Sequence, residues 1–205
     1  MTTTIDRTEE ILDRHLDQDF FVAAAGDNAP TREQLEELAA AYRCKLPEDF
    51  LVHSTGPLAG LSVEVKEEIW PRATEFEVGP FWSFLYSVFV YGLSPEIPDW
   101  MNIELAAAEF AESTGRSLVP CLRVVGDADV YLFDDRGDIV RWNHETDELT
   151  RFGGSFFDLL DLEVARLRER KDKKVEMARD ASGEENAAVK KPAGKKAAAK
   201  KSRKK

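Results

Sequence analysis

The chain has 205 residues, of which 43% are hydrophobic and 10% aromatic, enough for one ordinary domain with a sizeable core. No apolar run approaches the ~18 residues that span a bilayer, and the opening MTTTIDRTEE has neither the basic start nor the apolar core of a signal peptide, so a cytoplasmic protein without membrane association is expected. The net charge of −11 divides unevenly: residues 1–170 hold 34 Asp and Glu against 15 Lys and Arg, a net −19, while residues 171–205 hold 5 against 13, a net +8.

Residues 5–25 predict a helix, because Ile5, Ile11, Leu12, Leu16 and Phe20 recur at helical spacing. Thr8 can cap it, without a capping box, since Ile11 stands three residues on. Residues 26–30, GDNAP, break the pattern. Thr31 opens a second helix with Gln34 as its capping-box partner and Leu35, Leu38 and Tyr42 along one face. Leu46-Pro47-Glu48-Asp49-Phe50-Leu51 starts a third, short helix, with proline in the first turn and two acids favoured by the dipole. Residues 53–60 read as a loop and 61–65, LSVEV, as an alternating strand. Phe76-Glu77-Val78 is a weaker strand, and FWSFLYSVFVYGL over 81–93 reads as one long strand or two. A proline-stiffened loop over 94–100 leads to an Ala/Glu helix over 103–114, closed by Gly115.

Residues 119–152 hold four short apolar runs, 119–125, 130–133, 139–142 and 149–152, separated by Gly, Asp and Asn. Connections this short permit only antiparallel pairing between neighbours, so the segment predicts a β-meander. Val130-Tyr131-Leu132-Phe133 is apolar throughout and should be covered on both faces. Ser155 can cap a last helix with Phe156, Phe157, Leu159, Leu160, Val164 and Leu167 on its apolar face. From about residue 180 the composition turns to Lys-Ala blocks that cannot build a core. The expected fold is therefore α+β: a mostly antiparallel twisted sheet with a C-terminal β-meander, packed with N- and C-terminal helices, plus a disordered basic tail. Its expected divisions are an N-terminal helix and linker over 1–30, a domain over 31–175 and a Lys/Ala-rich tail over 180–205.

No constellation points to catalysis, a cofactor or a metal. His15, His53 and His144 are not at metal-ligand spacing with one another or with cysteine, and His144-Glu145 does not open an HExxH motif because position 148 is Glu. Asp127, Asp129, Asp134, Asp135 and Asp138 sit at turn tips, where aspartate is favoured by local hydrogen bonding. Cys44 and Cys121 are too few for a disulfide framework, and exposure of Cys44 between Arg43 and Lys45 would lower its pKa. Trp82 and Trp142 fall in predicted strands and are expected in the core, whereas Trp100, beside Asp99 in the proline-rich loop, is the best candidate partner anchor.

The LPEDF run at 46–50, the meander ending in Val140-Arg141-Trp142-Asn143-His144-Glu145-Thr146-Asp147-Glu148, and the final helix from Ser155-Phe156 together resemble the SUKH (Smi/Knr-like) superfamily over roughly residues 31–168. Many bacterial members of that superfamily are immunity proteins encoded beside polymorphic toxins. Gly56-Pro57-Leu58-Ala59-Gly60 departs from the Asn-Gly-Gly pattern common there. The resemblance implies an α+β binding domain with no catalytic set.

The expected function is thus a non-enzymatic protein-binding module whose acidic surface takes a basic, toxin-like partner, with Asp99, Trp100, Asp127, Asp129, Asp134 and Asp135 as candidate partner-binding residues. The alternative is a nucleic-acid-associated protein tethered weakly and without sequence specificity by its tail. The bases of that tail are Lys190, Lys191, Lys195, Lys196, Lys200, Lys201, Arg203, Lys204 and Lys205.

Overall fold

The computed structural model describes the backbone over residues 4–72 and 81–189 and the side chains over 7–72 and 83–179. Seven strands among these residues form one sheet in chain order, each neighbouring pair antiparallel. They are β1 (Phe20–Ala23), β2 (Ser62–Val65), β3 (Ser87–Val90), β4 (Val119–Val124), β5 (Val130–Phe133), β6 (Ile139–Asn143) and β7 (Glu148–Arg151). Five helices accompany them: α1 (Thr4–His15), α2 (Arg32–Ala41), α3 (Glu48–Ser54), α4 (Ile103–Thr114) and α5 (Phe156–Val189). The architecture is α+β, and the last four strands are the meander read from the sequence.

Two layers of helix flank the sheet. Register places Val63, Val88 and Val124 on one face, continued by Leu122 and Tyr131 across an irregularity in β4. That face packs on α5 and, through it, on α1 and α3. Its centre is an aromatic cluster: the Phe50 ring lies 4.8 Å from Phe133 and 5.1 Å from Phe156, both edge-on. The other face carries Phe89, Arg123 and Val130, and α4 packs against it on β4.

Local signals account for the helix ends. Thr31 and Gln34 form the expected capping box. Gly115 closes α4 at φ 70°, in the left-handed region. Ser155 and Asp158 bond reciprocally, the Asp158 backbone N–H donating to Ser155 Oγ at 3.2 Å and the Ser155 N–H to Asp158 Oδ2 at 2.9 Å. These bonds from Ser155 hold the Asp158 carboxyl below its ordinary pKa.

Several expectations are corrected. The helix over 5–25 stops at His15, and residues 20–23 form β1, where Phe20 pairs with Val65 and is buried. The apolar positions fitted a helical period, but Phe-Phe-Val suits a pleated edge, and β2 supplies the partner. Thr8 lies inside α1, buried, and does not cap it. The 81–93 run divides into a 3₁₀ turn, Phe81–Phe84, and β3. His53 and Ser54 belong to α3, not to a loop. The backbone of α5 runs to Val189. Phe76-Glu77-Val78, the Trp82 side chain and the basic run 190–205 lie outside the described residues.

Candidate functional site

The sheet face that carries α4 is only partly covered, and a cleft remains beside that helix. Asn102 caps α4, its side-chain oxygen accepting from the N–H groups of Glu104 at 2.9 Å and Leu105 at 3.1 Å. This fixes the helix so that Phe110 meets the edge of the Trp142 ring at 5.2 Å. On the other side, Pro98 leads into a 3₁₀ turn, Asp99–Met101, that sets Trp100 edge-on to Phe89 at 4.9 Å. Phe89 in turn stands edge-on to Tyr91 at 4.9 Å. Between these walls lie two hollows of about 280 and 360 Å³, which share Arg123 and Ala128 and so form one cleft. Gly126 lines the second hollow at φ 82°, and a Cβ there would lie 2.6 Å from Phe84 Cβ, so only glycine fits.

Arg123 stands at the centre. Its Nε donates to the Asp127 carbonyl at 3.2 Å, and its charge acts on the neighbouring Tyr91 hydroxyl. Burial raises the Tyr91 hydroxyl above its ordinary pKa, and Arg123 opposes that shift. Among the described residues Arg123 has no carboxylate partner, whereas Arg116, Arg141, Arg151 and Arg166 are each paired to one. Trp100 is 58% exposed at one lip of the cleft, and His144 and Glu109 are exposed at the other.

The candidate residues do not form one surface. Trp100 and Asp127 line the cleft, and Asp99 is exposed beside it. Asp127 pairs with Arg141 at 3.2 Å and accepts from the Asp129 N–H at 3.0 Å. Asp129 is turned inward: its side chain is 11% exposed, pairs with Arg141 at 3.0 Å and accepts from Asn143 Nδ2 and the His144 N–H. Asp134 and Asp135 lie at the other end of β5. There Asp134 ties the turn by accepting from the N–H groups of Arg136 and Asp138, both at 2.9 Å, and Asp135 is exposed. The nine tail bases lie outside the described residues.

Phe89, Tyr91, Phe110 and Arg123 were not singled out by sequence, because three separated segments must fold together before they meet. One signal was present: Arg123 is the single charge in the apolar run VPCLRVV. Trp142, expected in the core, is half-buried, with its Nε1 donating to Asp147 Oδ1 at 2.9 Å. Trp70 is buried and donates to the Ser83 carbonyl at 2.9 Å.

The remaining titratable groups have structural settings. His53 is buried, shares a 3.1 Å hydrogen bond with Thr8 Oγ1, and is pushed down to about 4 by burial. His15 meets Asp161 at 2.8 Å. Cys44 is buried and not exposed, so its thiol is pushed up to about 11 rather than lowered; burial also raises that of Cys121. Tyr131 donates to the buried Glu163 at 2.8 Å, and burial together with that carboxylate's charge drives the Tyr131 hydroxyl well above its ordinary pKa. Among the described residues, no three His, Cys, Asp or Glu side chains converge as a metal-ligand set, and no helix is long and apolar enough to cross a membrane.

No protein-family model matches this chain, and neither a curated protein nor a solved structure matches it.

Proposed function

We propose that this chain is a non-enzymatic protein-binding module, akin to SUKH immunity proteins, that acts in the bacterial cytoplasm by engaging a basic protein partner such as a toxin. The observation that carries this reading is the charge of the body: residues 1–170 have a net −19. A surface of one sign raises the encounter rate with an oppositely charged partner and repels a nucleic-acid backbone. The cleft supports it, because an exposed tryptophan on an aromatic floor is the kind of anchor that dominates interface energetics. The SUKH-like order of the LPEDF helix, the sheet, the meander and the final helix supports it too.

The test is co-expression with the products of the reading frames that flank this chain's own. A flanking product that arrests growth, and is neutralised by this chain but not by a chain with its acidic surface reversed to lysine, supports the reading. Flanking products that neither arrest growth nor bind this chain contradict it. The nine bases at 190–205 favour a second reading, weak nucleic-acid binding by the tail. A chain ending at residue 189 would keep its protein partner under the first reading and lose nucleic acid under the second.

A further inference from the structure

We infer that the cleft between α4 and the sheet takes an extended peptide segment of the partner that carries one Asp or Glu side chain flanked on both sides by apolar residues, with Arg123 as the carboxylate's anchor. This rests on the protein-binding reading and names the short-range contact within it.

The chemistry follows from four features. Arg123 is a planar guanidinium that presents paired donors matched to a carboxylate. Among the described residues it has no carboxylate of its own, whereas Arg116 and Arg141 are each paired to one. Its Nε is tethered to the Asp127 carbonyl at 3.2 Å, so less freedom is lost when a ligand binds. Aromatic rings line both hollows beside it, Phe89 and Trp100 in one and Tyr91, Phe110 and Trp142 in the other, together with Asp127 and Glu109 respectively. A charge-assisted bond formed against such walls is stronger than one in open water.

The shape selects the source of the carboxylate. The hollows extend to either side of Arg123, which is shared by both. A chain terminus would fill one hollow and leave the other empty, whereas an internal Asp or Glu places a neighbour in each. A phosphate is disfavoured, because it would bring up to two negative charges to a single arginine inside a body of net −19. A partner that is basic as a whole can still present one such carboxylate: the long-range field brings the two together, and the anchor sets their orientation.

The test uses the full chain as bait for a displayed library of random dodecapeptides, followed by calorimetry on the enriched sequences and on their Asp→Asn or Glu→Gln counterparts. The expected result is enrichment of a single acid between aromatic or aliphatic residues. Removing the peptide's charge should weaken binding by at least about tenfold. Arg123→Gln should weaken the acidic peptide equally, and the two changes together should weaken it little further. Trp100→Ala, at a position 58% exposed, should also weaken binding. Arg123→Lys keeps the charge but loses the fork and should fall between. Enrichment of Lys/Arg-rich peptides, no enrichment, or acidic peptides that bind Arg123→Gln as well as the parent would overturn the inference. Failure here would leave growth neutralisation by the acidic body intact, so it is distinguishable from failure of the protein-binding reading itself.

Discussion

The carboxylate of Asp49 joins the first turn of α3 to the start of α5: its Oδ2 accepts from the Phe156 backbone N–H at 2.7 Å, and its Oδ1 from the Phe50 N–H at 2.9 Å. One side chain thus satisfies donors at two helix starts that are 107 residues apart in the chain. The rings of Phe50 and Phe156 meet beside it, so the LPEDF motif works as a clamp between α3, α5 and β5. Asp49→Ala should destabilise the fold by about 1–3 kcal/mol, since it removes a cap and leaves backbone donors short of a partner. Asp49→Asn, which keeps an acceptor, should lie between. Urea midpoints of the three proteins check this, and equal midpoints would show that the clamp is idle.

Phe133 and Trp142 sit in adjacent strands with different burial. Phe133 is fully buried against Phe50, whereas Trp142 is half-buried on Phe110. Phe133→Ala should lower stability by about 3–5 kcal/mol. Trp142→Ala should lower it less, because less of the ring leaves an apolar setting. The reverse order of the two denaturation midpoints would contradict the layer assignment.

Lys171 holds the start of the sheet to α5. Its side chain is 5% exposed, and its Nζ lies 2.8 Å from Asp17 Oδ2 and 3.1 Å from Asp19 Oδ2, next to the Phe20 ring. Burial disfavours its charge, but the bonds to Asp17, Asp172 and Asp19 outweigh burial and raise its pKa above the ordinary 10.5. The stabilisation is therefore present at neutral pH and is lost as pH rises beyond 10.5. Lys171→Met should cost about 1–2 kcal/mol, less than a fully buried pair because the aspartates are partly solvated. The loss should show first as faster amide exchange in β1, and unchanged exchange there would refute it.

His53 gives the pH dependence its acid limb. Burial lowers its pKa from 6.5 to about 4 in the folded chain. Between those values the unfolded chain binds the extra proton, so stability falls as pH drops from 6.5 toward 4. The full effect is about 3 kcal/mol. His53→Gln should flatten this part of the stability profile. A profile of unchanged slope would assign the acid sensitivity to other groups.

The meander was legible because its period, its short turns and its Gly and Asp tips all pointed the same way. The α2 capping box and the Gly115 terminus were legible for the same reason: each is set by residues within a few positions. The strand β1 was not, because Phe20 fits a helical period as well as a strand, and the arbiter is the pairing with Val65, 45 residues away. The site was half legible. The exposure of Trp100 follows from the prolines around it, whereas the local bonds that tie Asp129 and Asp134 to their own turns show only in the folded chain. Arg123 came into view only once β3, β4 and α4 were placed together.

The central claim is that the acidic body, and not the tail, carries the protein's binding. Its most direct test is the association rate of the protein encoded by a flanking reading frame, measured from about 0.05 to about 0.5 M salt, with the full chain and with the chain ending at residue 189. The account predicts an association rate that falls steeply with salt and is as fast or faster without the tail, because the tail's bases oppose the body's charge. A rate insensitive to salt, or binding that disappears when residues 190–205 are removed, would contradict it.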